Sequence, residues 1–73
     1  MTWNYRVVKF ISVPGDIYFD IKEVYYDKNK KINGYGDASL LFESVKDMKS
    51  GLRLMREALD KPVLDYDDIK GGK

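Results

Sequence analysis

The sequence predicts an α+β domain. The expected form is an antiparallel sheet of three strands, four if a short segment after the helix joins it, with one C-terminal helix on one face. Three observations predict it. Nine of the ten aromatic residues fall within the first 42 positions, the tenth being Tyr66, on stretches that alternate like strands. A single apolar stripe at helical spacing follows, through Val45, Met48, Leu52, Met55 and Leu59. Pro62 then closes the helical pattern.

Residues 3–11 read as the first strand. Trp3, Tyr5 and Val7 alternate with Asn4 and Arg6, the period of two of a half-buried strand. Val8 and Phe10 place apolar groups at the other parity, so both faces of this strand carry apolar surface. Val13-Pro14-Gly15-Asp16 is a turn, with proline presetting φ and glycine tolerating a positive φ. The second strand spans about residues 17–26, with Phe19 and Ile21 on one face and Tyr18, Asp20 and Lys22 on the other. Glu23 falls where an inward residue is due. Either the strand has left the core there, or a bulge brings Val24 inward.

Two turn signals compete to close the second hairpin: the charged run 27–31 and Asn33-Gly34. The third strand is expected through Ser39-Leu40-Leu41-Phe42, with a start as early as Tyr35. Ser44 with Asp47 three residues later gives a capping-box-like helix start. A helix from there to Lys61 is roughly 25 Å long and covers one face of a small sheet. Gly51 within it costs about 1 kcal/mol relative to alanine and permits a close approach. Val63-Leu64 offers a short edge strand. Residues 1–64 thus form the domain, and 65–73, opening with the acidic Asp65-Tyr66-Asp67-Asp68, read as a flexible tail.

At 73 residues the core is thin, because a chain this small buries only about 60% of its unfolded surface. The chain has no cysteine, which excludes disulfides and fits a cytoplasmic location. It has no histidine either, so zinc lacks its usual ligands. No apolar run spans a bilayer, and the N-terminus lacks the pattern of a signal peptide. The net charge of +1, with acids and bases interspersed, argues against backbone-driven nucleic-acid binding.

No motif specifies catalysis or a cofactor. Asp27-Lys28-Asn29 opens like a calcium loop, but Lys31, Ile32 and Ala38 stand at the fifth, sixth and twelfth positions, so a solvated turn is the plainer reading. Asp20, Glu23 and Asp27 suggest paired carboxylates, yet Asp20 and Glu23 point to opposite faces of a strand. Cross-strand ion pairing with Arg6 or Lys9 explains them more simply. Serines lack an activating histidine, and Gly34-Tyr35-Gly36 is too short to cradle a phosphate.

One helix shelters one face of the sheet. Trp3, Tyr5, Val7, Phe19, Ile21, Met48, Leu52, Met55 and Leu59 are the expected core. Arg6, Val8, Phe10, Tyr18 and Lys22 then form the opposite face, an expected partner-binding surface. The function this predicts is a non-enzymatic protein-interaction module, a homodimer or a small regulator masking a protein partner. The alternative is stacking of single-stranded nucleic acid on Arg6, Phe10, Tyr18 and Lys22. No cofactor and no membrane association are expected.

Trp3-Asn4-Tyr5-Arg6-Val7, Glu23-Val24-Tyr25-Tyr26-Asp27 and the run from Glu57 to Leu64 (EALDKPVL) together resemble a family of small, functionally uncharacterised bacterial proteins. The order of three strands and a helix ending in Ala58-Leu59 also resembles the partial RNase H-like domain of HicB-type antitoxins, without their Pro-Asp-x-x-Gly-Cys stretch. The second resemblance implies an antitoxin-like inhibitor.

Overall fold

The computed structural model describes residues 2–13 and 15–70. It contains β1 (Thr2–Ile11), β2 (Ile17–Tyr26), β3 (Ile32–Asp37), α1 (Val45–Glu57), a 3-10 turn (Ala58–Asp60), β4 (Leu64–Asp65) and α2 (Tyr66–Lys70). The sheet order is β3-β2-β1-β4. β1, β2 and β3 pair antiparallel, whereas β4 lies parallel to β1 at Val8 and Lys9. The fold is therefore α+β with a mixed four-stranded sheet.

β1 and β2 pair along their whole length, from Thr2 opposite Tyr26 to Ile11 opposite Ile17. Their turn closes with Ser12 N–H donating to Asp16 C=O at 2.8 Å, and Gly15 has φ +130°. Alternation continues unbroken through Glu23, which stands opposite Tyr5. The irregularity lies later, between Tyr25 and Tyr26, against β3. Val24 is buried without any bulge at Glu23, because the reverse face has a core of its own.

The run 27–31 closes the second hairpin. Asp27 N–H donates to Lys31 C=O, and the Asp27 carboxylate accepts from Asn29 and Lys31 N–H at 2.8 and 3.0 Å. Lys30 takes the left-handed conformation at φ 64°. β3 consequently begins at Ile32 and absorbs Asn33-Gly34, and the expected strand at Ser39-Leu40-Leu41-Phe42 is irregular chain. A Cβ at Gly36 would stand 3.1 Å from the Tyr25 hydroxyl, so glycine there gives that side chain room, whereas at Gly34 the ring lies 3.8 Å away, an ordinary contact.

α1 starts as expected. Ser44 Oγ accepts from Asp47 N–H at 3.0 Å, which satisfies one orphan donor of the first turn. The helix packs on β1, with Met55 and the following Ala58 buried against Tyr5 and Val7. Phe42 sits against this cluster and lies directly on Gly51, where any Cβ would collide with its ring.

The segment expected as a flexible tail is structured through Lys70, and its residues 71–73 lie outside the described residues. β4 carries the chain along β1, and α2 crosses the reverse face towards β3. Asp65 N–H donates to Asp68 Oδ2 at 2.9 Å, a capping contact across the first turn. Ile69 is fully buried on Val8 and Val24, also fully buried, with Leu64 and Ile32 around them. Burial of that side chain, with Tyr66 packed against Phe10 and Tyr35, holds this acidic segment on the sheet.

Candidate interaction surfaces on the two faces of the sheet

The five residues expected to form a partner-binding face do share the reverse face, but they do not make one free surface. Val8 is sealed beneath Ile69 and is unreachable. Arg6 is committed to the fold: its guanidinium donates to Pro62 C=O at 2.7 Å and to Tyr26 Oη at 3.2 Å. Its Nε is buried without a hydrogen-bond partner among the described residues. Arg6 thus ties the helix-to-β4 connection to the sheet.

Phe10, Tyr18 and Lys22 border an open basin completed by Tyr35 and Tyr66. Phe10 stacks on Tyr18 at 5.1 Å and meets Tyr66 at a tilt at 5.1 Å, and Tyr66 meets Tyr35 edge-on at 6.0 Å. Lys22 Nζ stands 5.6 Å from the Phe10 ring centre and is bridged to both Asp20 (3.2 Å) and Asp37. The bond to Asp37, opposed by burial and reinforced by Asp20, raises the Lys22 pKa above its ordinary value. Neither Arg6 nor Lys9 supplies the ion pair expected for Asp20; the acids and the lysine serve one another.

The carboxylates separate by face, as the strand period requires. Asp20 joins Lys22 on the reverse side, whereas Glu23 accepts from Tyr25 Oη at 2.6 Å on the helix side. Asp27 is spent on its own turn. Among the described residues no cluster of acids has the arrangement of a metal site.

The larger unoccupied apolar surface is on the helix face, where the sequence placed core. Tyr5, Val7 and Met55 are buried and Ile21 is partly covered, but Trp3, Phe19, Met48, Leu52 and Leu59 are substantially exposed. The physical reason is width. α1 lies along β1, and the β2 side of that face is left open. The result is a groove of about 530 Å³ between α1, β2 and the chain after β3. Phe19 (60% exposed), Leu59 (61%) and Leu40 (67%) line it, with Ile21 and Met55 at its floor and Asp20 and Asp37 at its rim.

Beside the groove runs a free strand edge. β3 pairs with β2 only from Lys22 to Tyr26, so residues 17–21 have no outer neighbour among the described residues. Ile21 N–H donates instead to the Asp20 carboxylate at 2.8 Å. The sequence hid this site, because Leu40 reads as part of a third strand and Leu59 as part of the helical core stripe.

No family model, curated protein or solved structure matches the chain. No helix among the described residues is long and apolar enough to cross a membrane.

Proposed function

We propose that this chain is a non-enzymatic protein-interaction module whose binding surface is the apolar groove between α1 and β2, continued by the free edge of β2. One observation carries the reading: Phe19, Leu40 and Leu59 converge on a single groove with more than half of each side chain in water. Contiguous apolar patches above roughly 300–600 Å² are uncommon on isolated domains and mark interaction sites. Two hydrophobic clusters already hold the sheet from both sides, so this surface is not required by the fold.

A small regulator of this kind would act by masking an apolar or strand-edge surface on its protein partner. Single-stranded nucleic acid has less to hold. On the aromatic basin, Lys22 is neutralised by Asp20 and Asp37, and Arg6 is engaged with Pro62 and Tyr26.

The test is affinity capture with the intact chain and with Leu59→Ser and Tyr18→Ser variants, followed by mass spectrometry, beside an oligonucleotide titration. The reading expects bound protein lost with Leu59→Ser and retained with Tyr18→Ser. Salt-sensitive oligonucleotide binding abolished by Tyr18→Ser would favour nucleic acid instead.

A further inference from the structure

The free edge of β2 has a geometry that its own sequence can complete. Residues 17–21 run Ile-Tyr-Phe-Asp-Ile, with Phe19 at the centre. Ile21 N–H is capped by a side chain rather than by a strand. In an extended strand the amides of alternate residues face the same edge, so those of Ile17 and Phe19 turn the same way as that of Ile21. The stretch is bounded on one side by the Lys22–Asp37 pairing, where β3 stops, and on the other by the hairpin turn.

The chain also carries too much surface for its mass. Its accessible surface is 5676 Å². Folded monomers of 8.5 kDa expose about 4,700 Å² by the usual scaling of surface with mass. The excess is on the order of 1,000 Å², against the roughly 800 Å² that each partner buries in a standard interface.

We propose that the occupant of this edge and groove is a second copy of the chain, joined by antiparallel pairing of residues 17–21 about a two-fold axis at Phe19. The proposal rests on the interaction-module reading and names its partner. About that axis Phe19 meets the partner's Phe19, and Ile17 meets the partner's Ile21. Odd-numbered side chains of β2 point to the helix face, so the two grooves merge into one apolar layer under both α1 helices. On the reverse face Tyr18 comes opposite the partner's Asp20, an acceptor for its hydroxyl. The edge thereby gains the backbone partners it lacks, in a self-complementary contact.

The chain has no cysteine, so a single introduced cysteine reports only contacts between copies. Cα atoms of a hydrogen-bonded antiparallel pair lie about 5.5 Å apart, within disulfide range. In a glutathione buffer, Phe19→Cys is expected to give a covalent dimer at low protein concentration, whereas Val13→Cys, at the exposed hairpin turn, is not. Sedimentation equilibrium of the unmodified chain is expected to show a dimer. Phe19→Lys, which sets two like charges against each other on the axis, should weaken it by about tenfold or more. Circular dichroism confirms that each variant is folded, which the exposure of Phe19 favours.

A strict monomer at the highest attainable concentration overturns the proposal and leaves the interaction-module reading standing with a foreign partner. A dimer that tolerates Phe19→Lys, or that crosslinks equally at Val13, overturns the axis. Failure of Leu59→Ser to affect any captured protein, in a chain that is also monomeric, removes both.

Discussion

Ile69 lies on Val8, and the two side chains exclude water from each other completely. They come from nearly opposite ends of the described chain, and Val24 completes the contact from β2. This small cluster covers the middle of the reverse face and leaves the aromatic basin around Phe10 and Tyr18 open at its end.

Ile69→Ala should therefore cost about 2–5 kcal/mol, the usual range for truncating a buried aliphatic side chain. In a domain this small that is a large part of the whole stability. Urea denaturation followed by tryptophan fluorescence checks it. Ile69→Val should cost only about 0.5–1.5 kcal/mol. An unchanged midpoint for Ile69→Ala would show that α2 does not seal the sheet.

Gly51→Ala should destabilise the protein even though alanine is the better helix former. Propensity favours the change by about 1 kcal/mol. The new Cβ collides with the Phe42 ring, and overpacking of that kind costs about 1–3 kcal/mol. With Phe42→Val in the background, the same substitution should become neutral or stabilising. A thermal-denaturation double-mutant cycle measures that coupling.

Arg6→Lys should not substitute for arginine. The two guanidinium nitrogens reach Pro62 C=O and Tyr26 Oη at once, which an ammonium cannot reproduce. Hydrogen bonds of charged groups are worth about 1.5–3 kcal/mol each at most. The expected loss is about 1 kcal/mol, because the Pro62 contact is exposed. The local sign is faster hydrogen exchange of the β4 amides with little change in β2.

Stability should fall at alkaline pH. Burial, and then the charge of Glu23, raises the Tyr5 pKa, and the hydrogen bond to Glu23 raises that of Tyr25. The bond to Asp37 raises that of Lys22. Each folded value exceeds the unfolded one, so the folded state holds its proton longer. The contribution is complete below the unfolded values of 10.0 for tyrosine and 10.5 for lysine, and is lost as pH rises through the folded values. Urea midpoints should hold steady to about pH 9.5 and drop above it. Lys22→Gln should shrink that drop, and a midpoint flat to about pH 11 would contradict the assignment.

β1 was readable from the sequence because its two parities are both apolar, and both faces are indeed covered at Tyr5 and Val7 on one side and Val8 on the other. α1 was readable from its stripe and from the Ser44 cap. β3 was hidden. Its Asn33-Gly34 has the chemistry of a turn, but the Asp27 carboxylate, accepting from Asn29 and Lys31 N–H, closes the hairpin earlier and leaves Asn33-Gly34 within the strand. α2 was hidden because five residues with three acids close by have no intrinsic tendency to fold, and contacts from distant strands hold them, Ile69 on Val8 and Val24 and Tyr66 on Phe10 and Tyr35.

The two faces of the sheet are covered differently from what the helical stripe suggests. The helical stripe reads as core, but a rod seated over β1 leaves the β2 side of its own face open. Phe19 and Leu59 are left in water as a result. The opposite face, expected to need a partner, receives β4 and α2 from the same chain. Arg6 changes role with it, from a candidate contact to the tether of the crossing segment.

The clasp between the first strand and α2 should also set the order of events in folding. The β1–β2 hairpin is local and can form within about 1–10 μs. The clasp requires closing almost the whole chain and so should arrive late. Until it does, the newly formed ribbon is sticky on both sides. Refolding yield should thus be governed by how fast the tail finds its seat, and crowded conditions should punish any variant that delays it.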